Sequence, residues 1–356
     1  MAKTGNVSIV GAGIAGLAAS IAAAKTGRAA TVYERAASFD PVGAGLQLGP
    51  NAVGALQELG AWEAVESIAS APPAIHMREA MSGRLIKEIK LGKSFEARFG
   101  RPYRVAHRAD LHAALLAVAR SHASIDIRLG QEHRINENQS DGPVIGADGI
   151  WSESRKFLFP ESVVVKTHDA IFRKLIPCPA RTDVAVQCVN LWLAPGGHVV
   201  HYPVGKDQRL NLVAVTQGEK PETHFASSEI LQATFKSQSD WTPWPAAYVK
   251  PLPQWHLNNT LLIGDAAHGT LPYLAQGAAM ALEDAACLAM NDFNFTKFQT
   301  SRLARCTKLH HQSLSAGKTY HASGVSAQAR NVALAHMPEQ FFLSRLGWLN
   351  DGLSHS

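Results

Sequence analysis

Apolar and polar positions near the start of the chain follow the order strand, helix, strand. Residues 6–10 form an apolar run of strand length, and an alanine-rich stretch then extends to about Lys25. Gly27 ends that stretch, and residues 30–33 form a second run with the β-branched and aromatic side chains typical of strands. This pattern predicts a βαβ unit with two parallel strands.

The next part of the chain changes between helical and strand periodicity several times. We predict a helix around residues 51–59, a strand-rich segment over residues 75–89 and a short strand over residues 125–129. Residues 108–120 are predicted to be helical, because their apolar side chains recur every three or four positions and share one face. Mixed elements in this order are typical of an α/β fold.

From residue 163 to residue 215 the pattern becomes the period-two alternation of antiparallel strands. Three segments have this alternation: residues 184–193, 198–202 and 210–215. Such a block differs from the βα pattern that precedes it. It therefore predicts an insertion into the first fold.

The last third of the chain returns to the earlier pattern. Residues 242–253 contain four prolines, and we expect a connection there. A strand at residues 260–263 and a helix at residues 276–290 restore the βα order, and residues 298–349 are predicted to be helical. The chain is thus predicted to be an α/β protein whose nucleotide-type fold is interrupted by a mostly antiparallel β-sheet and followed by C-terminal helices.

The composition limits the classes of protein to which the chain can belong. Its 356 residues are 46% hydrophobic and 18% charged, which excludes a disordered chain, a collagen and a coiled coil. The four cysteines lie far apart without a CxxC pair. We therefore expect buried free thiols in a reducing cytoplasm, with neither a disulfide framework nor a metal site.

Membranes and nucleic acids are not indicated as partners. No apolar run reaches the about 20 residues of a spanning helix, and the start lacks the basic leader of a signal peptide. The formal net charge of +5 comes from scattered side chains rather than a basic stripe. We expect a soluble cytoplasmic monomer or homodimer that binds neither a membrane nor a nucleic acid.

A glycine motif between the first predicted strand and helix is the strongest chemical signal. Gly11 permits a tight turn, Gly13 lets the backbone approach a pyrophosphate, and Gly16 lets the helix pack closely on the strand. Glu34 follows about 20 residues later, where a carboxylate accepts hydrogen bonds from a ribose 2′-hydroxyl and repels a 2′-phosphate. The motif predicts tightly held FAD or NAD and excludes NADP.

A second strand–loop–helix motif distinguishes between these two nucleotides. Asp265 follows the strand at residues 260–263 and precedes the helix that begins near Gly277. A carboxylate there suits the hydroxyls of a ribityl chain, and a helix N-terminus suits the negative charge of a reduced flavin. NAD has neither group, so the motif favours FAD.

Taken together, the motifs resemble those of the single-component FAD-dependent aromatic hydroxylases, the group A flavoprotein monooxygenases. The GxGxxG, DG and GD motifs of that family are matched by residues 11–16, 146–155 and 261–268. Further segments are similar to the branch of salicylate hydroxylase and 6-hydroxynicotinate monooxygenase: residues 43–52, 107–111 and 318–349. The likeness covers nearly the whole chain, and the joint order of the motifs makes it specific.

The resemblance implies a role for each matched residue. The ADP half of a non-covalent FAD would be held by Gly11, Gly13, Gly16, Glu34 and Arg35. Arg108 would reach the ribose or pyrophosphate, Asp265 the ribityl chain, and the backbone N–H groups of Gly277 and Ala278 the flavin ring. Asp148 would act from behind these residues, near the pyrophosphate. NADH or NADPH would bind briefly as co-substrate, since no second glycine motif follows a strand.

The family fold implied by the resemblance divides the chain into three parts. A discontinuous Rossmann-like FAD-binding domain would contain residues 1–72, 101–165 and 255–300. Residues 73–100 and 166–254 would form the antiparallel substrate domain, whose sheet covers the flavin. Residues 301–356 would form a C-terminal helical segment.

The activity implied is the hydroxylation of a small phenolic or hydroxypyridine aromatic acid by molecular oxygen, with NAD(P)H consumed and a flavin C4a-hydroperoxide as oxidant. His198 and Tyr202 are the catalytic candidates, because alternation places both on one strand face and His201 on the other. A histidine pKa near the working pH would suit a general base that takes a phenolic proton. Three arginines could bind a substrate carboxylate: Arg173, Arg104 and Arg209.

Two other functions stay open from the sequence. Relatives usually carry a β-hairpin after residues 125–129, whereas here the connections at residues 130–145, 245–253 and 290–297 are short. A flavin-binding remnant or assembly component without hydroxylase activity would fit such shortening. A quinone-biosynthesis hydroxylase with an apolar substrate is less compatible with the polar strand that carries His198 and Tyr202.

Overall fold

Two large β-sheets with flanking helices make up the computed structural model, which describes residues 5–39, 43–135, 142–178, 185–205, 209–235 and 240–352. The strands are β1 (Val7–Val10), β2 (Ala30–Glu34), β3 (Gly45–Leu48), β4 (Ala74–Glu79), β5 (Leu85–Lys90), β6 (Arg104–His107), β7 (Ile125–Leu129), β8 (Val144–Gly146), β9 (Val164–Ile176), β10 (Val189–Ala194), β11 (Gly197–Val204), β12 (Arg209–Thr216), β13 (Thr242–Val249), β14 (His256–Leu257) and β15 (Thr260–Leu262). The α-helices are α1 (Ile14–Lys25), α2 (Pro50–Glu58), α3 (Trp62–Glu66), α4 (Lys93–Phe99), α5 (Arg108–Ser121), α6 (Glu153–Leu158), α7 (Pro221–His224), α8 (Glu229–Phe235), α9 (Asp265–His268), α10 (Gly277–Met290), α11 (Phe295–Tyr320), α12 (Gly324–His336) and α13 (Glu339–Asn350).

The first sheet is Rossmann-like. It has the strand order β14-β15-β8-β1-β2-β7, and all pairs are parallel except the edge pair β14–β15. Alanine-rich α1 and α10 pack together against it, because small side chains let the two helices approach closely. The predicted βαβ unit and the later βα return are both confirmed.

The second sheet is mostly antiparallel and has the order β13-β9-β12-β11-β10-β4-β5. Only the β10–β4 pair is parallel, because β4 and β5 come from a hairpin that precedes the insertion. Helices α7 and α8 cover one face through an apolar cluster that includes Trp192, Phe225 and Phe235. The strand predicted at residues 184–193 begins only at Val189, after a turn, and residue 184 lies outside the described residues.

The proline-rich segment 242–253 was wrongly predicted to be only a connection, because β13 occupies its first part. β13 is the edge strand and pairs only with β9, so Pro243 and Pro245 are tolerated although they cannot donate a ladder hydrogen bond. The register shifts between Pro245 and Ala247, as expected of a bulge near proline. A sequence pattern does not reveal which strand will lie at an edge, and that position decides whether proline is compatible with it.

A two-stranded ribbon and three long helices complete the described chain. The antiparallel pair β3–β6 lies between the two large sheets, since β3 contacts β11 and β12 while β6 leads directly into α5. The predicted helical C-terminal stretch is confirmed as α11, α12 and α13. None of the helices in the described part of the chain is both long and apolar enough to cross a membrane. The domain boundaries given above stay a prediction.

Candidate functional site

The glycine turn after β1 has the geometry that each of its glycines was predicted to need. Gly11 has φ +100°, and a Cβ there would lie 2.6 Å from the Ala147 carbonyl oxygen. A Cβ on Gly16 would lie 1.8 Å from the Gly11 carbonyl oxygen, so α1 packs directly on the turn. A Cβ on Gly13 would meet no other atom within 4 Å. The turn is therefore rigid on its inner side and open at Gly13, where the unsatisfied N–H groups of α1 begin.

Glu34 is held beside this turn by backbone hydrogen bonds. The Ala12 N–H donates to Glu34 Oε2 at 2.9 Å, and the Ala36 N–H donates to Oε1 at 3.0 Å. The carboxylate is thus oriented next to the open side of the turn, with further lone pairs to accept a hydroxyl. Arg35 follows at the end of β2 and is exposed.

The loop after β15 continues from the glycine turn towards α10. A Cβ on Gly264 would lie 2.9 Å from the Ala15 Cβ, so this loop touches the start of α1. A Cβ on Gly277 would lie 4.0 Å from Asp265 Oδ1, so the Asp265 carboxylate faces the first turn of α10. No side chain caps that turn, which leaves the N–H groups of Gly277 and Ala278 free to bind a ligand.

The turn at residues 11–16, Glu34, the loop with Asp265 and the start of α10 are called the open track below. Asp265 is exposed, although protein surrounds it closely. Desolvation by that surrounding protein raises the pKa of its carboxyl, while the positive charges of His268 and Arg108 act in the opposite direction. Arg108 is itself exposed at the start of α5, and its Cβ would lie 2.8 Å from a Cβ on Gly43. The charge of Arg108 thus acts on the Asp265 carboxyl from the start of α5.

The ribbon strand β3 joins this track to the second sheet. The Gly45 N–H donates to Asn211 Oδ1 at 2.7 Å, and a Cβ on Gly45 would lie 2.5 Å from the Tyr202 ring. The positions predicted for a dinucleotide thus follow one another in space, from Glu34 to Tyr202. Their chemistry fits FAD in order: a ribose acceptor, a phosphate turn, a polyol acceptor and a helix N-terminus.

Asp148 lies behind the track and stabilises the loop that leads into α6. The Ser152 hydroxyl donates to Asp148 Oδ1 at 2.5 Å, and the Ser154 N–H donates to Oδ2 at 2.9 Å. Both carboxylate oxygens are therefore engaged within the loop. Gly149, at φ +80°, allows the chain to turn between these residues.

Strand register places the substrate-site candidates on one face of the second sheet. His198 and Tyr202 are four residues apart on β11, and His198 pairs with Val215 of β12. Arg173 of β9 pairs with Val213, which is two residues from Val215. Directly paired residues point to the same side of an antiparallel sheet, and alternate residues share a face. His198, Tyr202 and Arg173 therefore project together, towards β3.

His198 is buried in a cluster of rings. Its Nδ1 lies 2.9 Å from Nε2 of His321, and its ring centroid lies 5.6 Å from that of Tyr273 and 5.4 Å from that of Tyr320. Burial is the main cause that lowers the pKa of His198 to about 3, and the neighbouring His321 contributes in the same direction. The expectation of a pKa near the working pH is therefore wrong for the ligand-free protein, because a charged imidazole would be poorly solvated there.

Tyr202 is buried beside a second hydroxyl. Its phenol interacts with the Gln47 side chain, to which the Tyr103 hydroxyl also donates. Burial raises the pKa of Tyr202, and the opposite effects of Arg173 and Gln47 are smaller. Tyr202 is thus a neutral hydroxyl at neutral pH, available to position a ligand rather than to act as a base.

His201 points away from this face, as the alternation predicts. It stacks on Trp192 with ring centroids 5.9 Å apart, on the side covered by α7 and α8. Burial lowers its pKa to about 3, and the charge of Arg78 adds to that effect. His201 is a packed residue that cannot reach a ligand bound on the other face.

Arg173 differs from the other two arginines that could bind a carboxylate. Arg104 faces Glu66 and Glu96, each 3.9 Å away, and Arg209 is exposed at the start of β12. Arg173 has no acidic partner among the described residues, and its buried Nε has no hydrogen-bond acceptor there. Its guanidinium lies 4.7 Å from the centroid of the Trp244 ring, and burial lowers its pKa. Arg173 is half-buried, and a cation without an acidic partner can bind an anionic ligand.

A buried ion network fixes α10 from behind, and no single motif in the sequence indicated it. Arg302 of α11 donates to Asp284 Oδ1 at 2.8 Å and also to Glu283, both on α10. Asp284 Oδ2 accepts from the Gly264 N–H at 2.8 Å and contacts His268 at 2.7 Å. The network thereby ties the loop that carries Asp265 to the C-terminal helices.

His268 belongs to this network rather than to the exposed track. Burial alone would lower its pKa, but Cys306 and Asp284 raise it well above the ordinary value. The ligand atoms of His268, Asp284 and Cys306 lie within 4.8 Å of one another, a spacing that a metal ion could use. Asp284 is already bonded to Arg302, so the trio is accounted for by the ion network. All four cysteines are free, and three of them are buried.

Comparisons with known proteins identify similar chains and folds. The model of an NAD(P)-binding Rossmann-like domain matches residues 9–39. A 3-hydroxybenzoate 6-hydroxylase of Polaromonas naphthalenivorans (strain CJ2) is 32% identical over 96% of this chain and 95% of its own.

Two solved structures share the fold at lower identity. Klebsiella pneumoniae HpxO, complexed with FAD and uric acid, has a TM-score of 0.86 at 18% identity, over 97% of this chain and 96% of that one. A salicylate hydroxylase substrate complex has a TM-score of 0.78 at 23% identity, over 97% of this chain and 95% of that one.

Proposed function

The chain belongs to the FAD-dependent aromatic hydroxylases, and on that premise we propose that it hydroxylates a small phenolic or hydroxypyridine aromatic acid with NAD(P)H as electron donor. It is a flavin-dependent aromatic-ring monooxygenase that uses FAD. The 3-hydroxybenzoate 6-hydroxylase acts, by its name, on a phenolic carboxylic acid. The proposal extends that substrate class, together with the nicotinamide donor, to this chain.

The observation that carries the proposal is the shared face of Arg173, His198 and Tyr202. A half-buried cation without an acidic partner would recognise a carboxylate, and a neutral imidazole would accept a proton from a phenol. A hydroxyl such as that of Tyr202 fixes the orientation of the ring. These three groups match the functional groups of a hydroxylated aromatic acid, and an apolar quinone precursor has no use for the arginine.

The residues of the open track would hold FAD. Glu34 would accept a hydrogen bond from a hydroxyl of the adenosine ribose. The turn at Gly11, Gly13 and Gly16 would bind the pyrophosphate. Exposed Arg35 and Arg108 would add positive charge beside the phosphates or the ribose. FAD supplies the oxygen-activating chemistry when it is bound.

The flavin end of the track would be formed by the second motif. Asp265 would accept from the ribityl hydroxyls, and the N–H groups of Gly277 and Ala278 would face the ring. Asp148 would act indirectly, by holding the loop before α6 in place.

On the substrate side, each residue of the sheet face would have a separate task. Arg173 would bind the carboxylate and Tyr202 would orient the ring through its hydroxyl. His198 would take the phenolic proton on Nε2, because its Nδ1 is already engaged by His321. The removal of that proton makes the ring richer in electrons and so a better nucleophile for the oxygen that FAD delivers. The buried rings around His198 would exclude water from this step.

The purified holoprotein tests the proposal. Its absorbance spectrum reports bound flavin, and NADH or NADPH oxidation is then followed with a panel of hydroxybenzoates and hydroxypyridine carboxylic acids. We expect an aromatic acid to stimulate the oxidation of either NADH or NADPH. Mass spectrometry should then identify a hydroxylated product. Bound flavin without any stimulation would instead favour the remnant or assembly component. Stimulation by long apolar phenols alone would favour the quinone-type hydroxylase.

A further inference from the structure

We propose that His321 is a positioning residue for His198, and that the two imidazoles relay the substrate's phenolic proton out of the buried pocket. The inference rests on the proposed function, since it assigns a route to the proton that His198 would take. It is carried by the direct contact between the rings, in which Nδ1 of His198 lies 2.9 Å from Nε2 of His321.

His321 is fixed in place by backbone structure at the end of α11. Its carbonyl oxygen accepts from the Gly196 N–H at 3.0 Å, in the turn between β10 and β11. Its own N–H donates to the Gly317 carbonyl at 3.0 Å. The residue thus joins the C-terminal helix to the strand that carries His198, and these bonds fix the backbone from which its ring reaches His198.

The contact determines which nitrogen of His198 can act as a base. One of the two facing nitrogens must carry the hydrogen of this bond. When Nδ1 of His198 donates to Nε2 of His321, the lone pair of His198 lies on Nε2, the nitrogen that His321 does not engage. In the opposite arrangement Nε2 of His198 would carry the hydrogen and could not accept a proton. A hydrogen-bond acceptor at position 321 therefore selects the competent tautomer.

Burial explains why a second imidazole is needed. His198 is 3% exposed, so an imidazolium at that position would be poorly solvated. In the relay, the phenolic O–H bond breaks as an N–H bond forms on Nε2 of His198. The Nδ1–H bond of His198 breaks as an N–H bond forms on Nε2 of His321. The products are a phenolate, a neutral His198 and a His321 imidazolium, so the positive charge rests outside the deepest part of the pocket.

The surroundings of His321 provide a counter-charge near water. The pKa of His321 is lowered, mainly by burial. The charge of Asp169 of β9 opposes this effect, and His224 of α7 adds to it. Asp169 accepts from the Tyr273 hydroxyl and lines a surface cavity of about 310 Å³ between β9 and β13. The titratable groups packed around His321 are His198, Asp169, His224, Tyr273 and Tyr320. A proton on His321 is therefore next to a carboxylate that solvent reaches.

The test uses the oxidised holoenzyme and a coloured phenolic acid, 3-hydroxy-4-nitrobenzoate, whose phenolate absorbs visible light. Absorbance against pH gives the pKa of the bound probe, and a pH indicator in stopped flow gives the rate of proton release on binding. The variants are His321→Leu, which removes the acceptor, and His321→Asn, whose amide oxygen can accept from Nδ1 but cannot carry a proton. His336→Leu is the matched control, because it removes an exposed histidine of α12 that is not among the groups packed around His321.

We expect His321→Leu to raise the pKa of the bound probe by about one unit or more, because the phenolate loses its proton acceptor. His321→Asn should bind the probe as the parent does but release the proton at least about 10-fold more slowly. His336→Leu should match the parent in both the pKa of the bound probe and the rate of proton release. Parent-like probe pKa and proton release in both His321 variants would overturn the relay. If His321→Leu fails to fold, proton release by His321→Asn decides alone.

The same experiment separates the relay from the proposed function. A parent enzyme that neither binds the probe nor hydroxylates any aromatic acid contradicts both. A parent that hydroxylates an aromatic acid while the His321 variants keep parent-like proton release contradicts only the relay.

Discussion

His198 combines a buried position with a task that creates charge. In the ligand-free protein its imidazole is neutral, because burial lowers its pKa to about 3. In the proposed relay a proton taken from a phenol would pass on to His321, and His198 would return to its neutral form. We therefore propose that His198 carries the proton only in passing.

Replacement of this residue should separate catalysis from cofactor binding. His198→Ala should keep FAD and still oxidise NAD(P)H, while hydroxylated product falls about 10²-fold or more and oxygen is diverted to peroxide. The measurement is product formed per nicotinamide consumed. His201→Ala is the control on the opposite face, and it should lower stability through the lost Trp192 contact without changing that ratio. An uncoupled His201→Ala with a normal His198→Ala would contradict the face assignment.

Arg173 should determine affinity for the acid group. Arg173→Gln removes the unpaired charge, so KM for carboxylated substrates should rise about 10-fold or more, while the corresponding phenol without a carboxylate is affected much less. Arg209→Gln removes an exposed arginine from the neighbouring strand and should leave KM unchanged. Steady-state kinetics with the paired substrates measures both. Equal effects on the acid and on the phenol would exclude a carboxylate contact.

Asp265 should contribute to cofactor affinity and little to folding. Asp265→Ala removes the acceptor that faces α10, so FAD affinity should fall by about 10-fold to 100-fold. Its carboxylate is exposed in the track, and the apoprotein should therefore unfold at the parent's temperature. Fluorescence titration of the apoprotein with FAD gives the affinity, with Asp126→Ala on exposed β7 as control. An unchanged FAD dissociation constant would remove Asp265 from the cofactor site.

At the scale of elements, two glycines in the same turn have opposite structural roles. Gly16 is where α1 contacts the turn after β1, and Gly13 faces open space. Both glycines belong to one sequence motif. In the structure, Gly16 allows the helix to pack on the turn, whereas Gly13 leaves space for a ligand.

Alanine at each of these positions should show that difference. Gly16→Ala places a methyl group against the Gly11 carbonyl, so it should lower the free energy of unfolding by about 1–3 kcal/mol and also weaken FAD binding. Gly13→Ala has space for its methyl group and should leave the stability of the apoprotein unchanged while it weakens FAD binding alone. Urea unfolding of the apoprotein, paired with FAD titration, measures both quantities. Equal losses of stability would contradict the distinction.

Sequence patterns predicted elements well where local signals were sufficient. The βαβ unit and α5 followed from apolar periodicity, which depends only on neighbouring residues. The β13 edge strand did not, because its proline residues are acceptable only at a position that the whole sheet determines. The contact between His198 and His321 joins residues 123 positions apart, a separation that no local pattern encodes. The choice of Arg173 among three arginines likewise depended on which of them lacked a partner.

At the scale of the whole molecule, the ion network between α10 and α11 connects the open track to the C-terminal helices. Arg302 is fully buried with Glu283 and Asp284, and Arg305 bonds Glu283 and the carbonyl of Leu349 near the end of α13. Asn51 of α2 also donates to Glu283, at 2.7 Å. Helices α2, α11 and α13 are thus all linked to α10 through this network.

Loss of one buried charge should therefore destabilise the fold strongly. Arg302→Met leaves Glu283 and Asp284 without their shared cation, and the free energy of unfolding should fall by about 3–5 kcal/mol. Lys25→Met breaks the exposed pair with Glu58 and should cost at most about 1 kcal/mol. Chemical denaturation of the holoproteins measures both. Similar losses in the two variants would show that the network contributes no more than a surface pair.

The parallel pairing of β10 with β4 also constrains how the protein is made. The β4–β5 hairpin leaves the ribosome roughly 100 residues before β10, which at typical elongation rates is a delay of about 5–20 s. During that interval the inner edge of β4 has no strand partner from its own sheet. The first sheet waits even longer, because β15 is synthesised after the entire insertion. Neither sheet can be completed during early synthesis, so unpaired strand edges of both sheets stay exposed until the later strands have emerged.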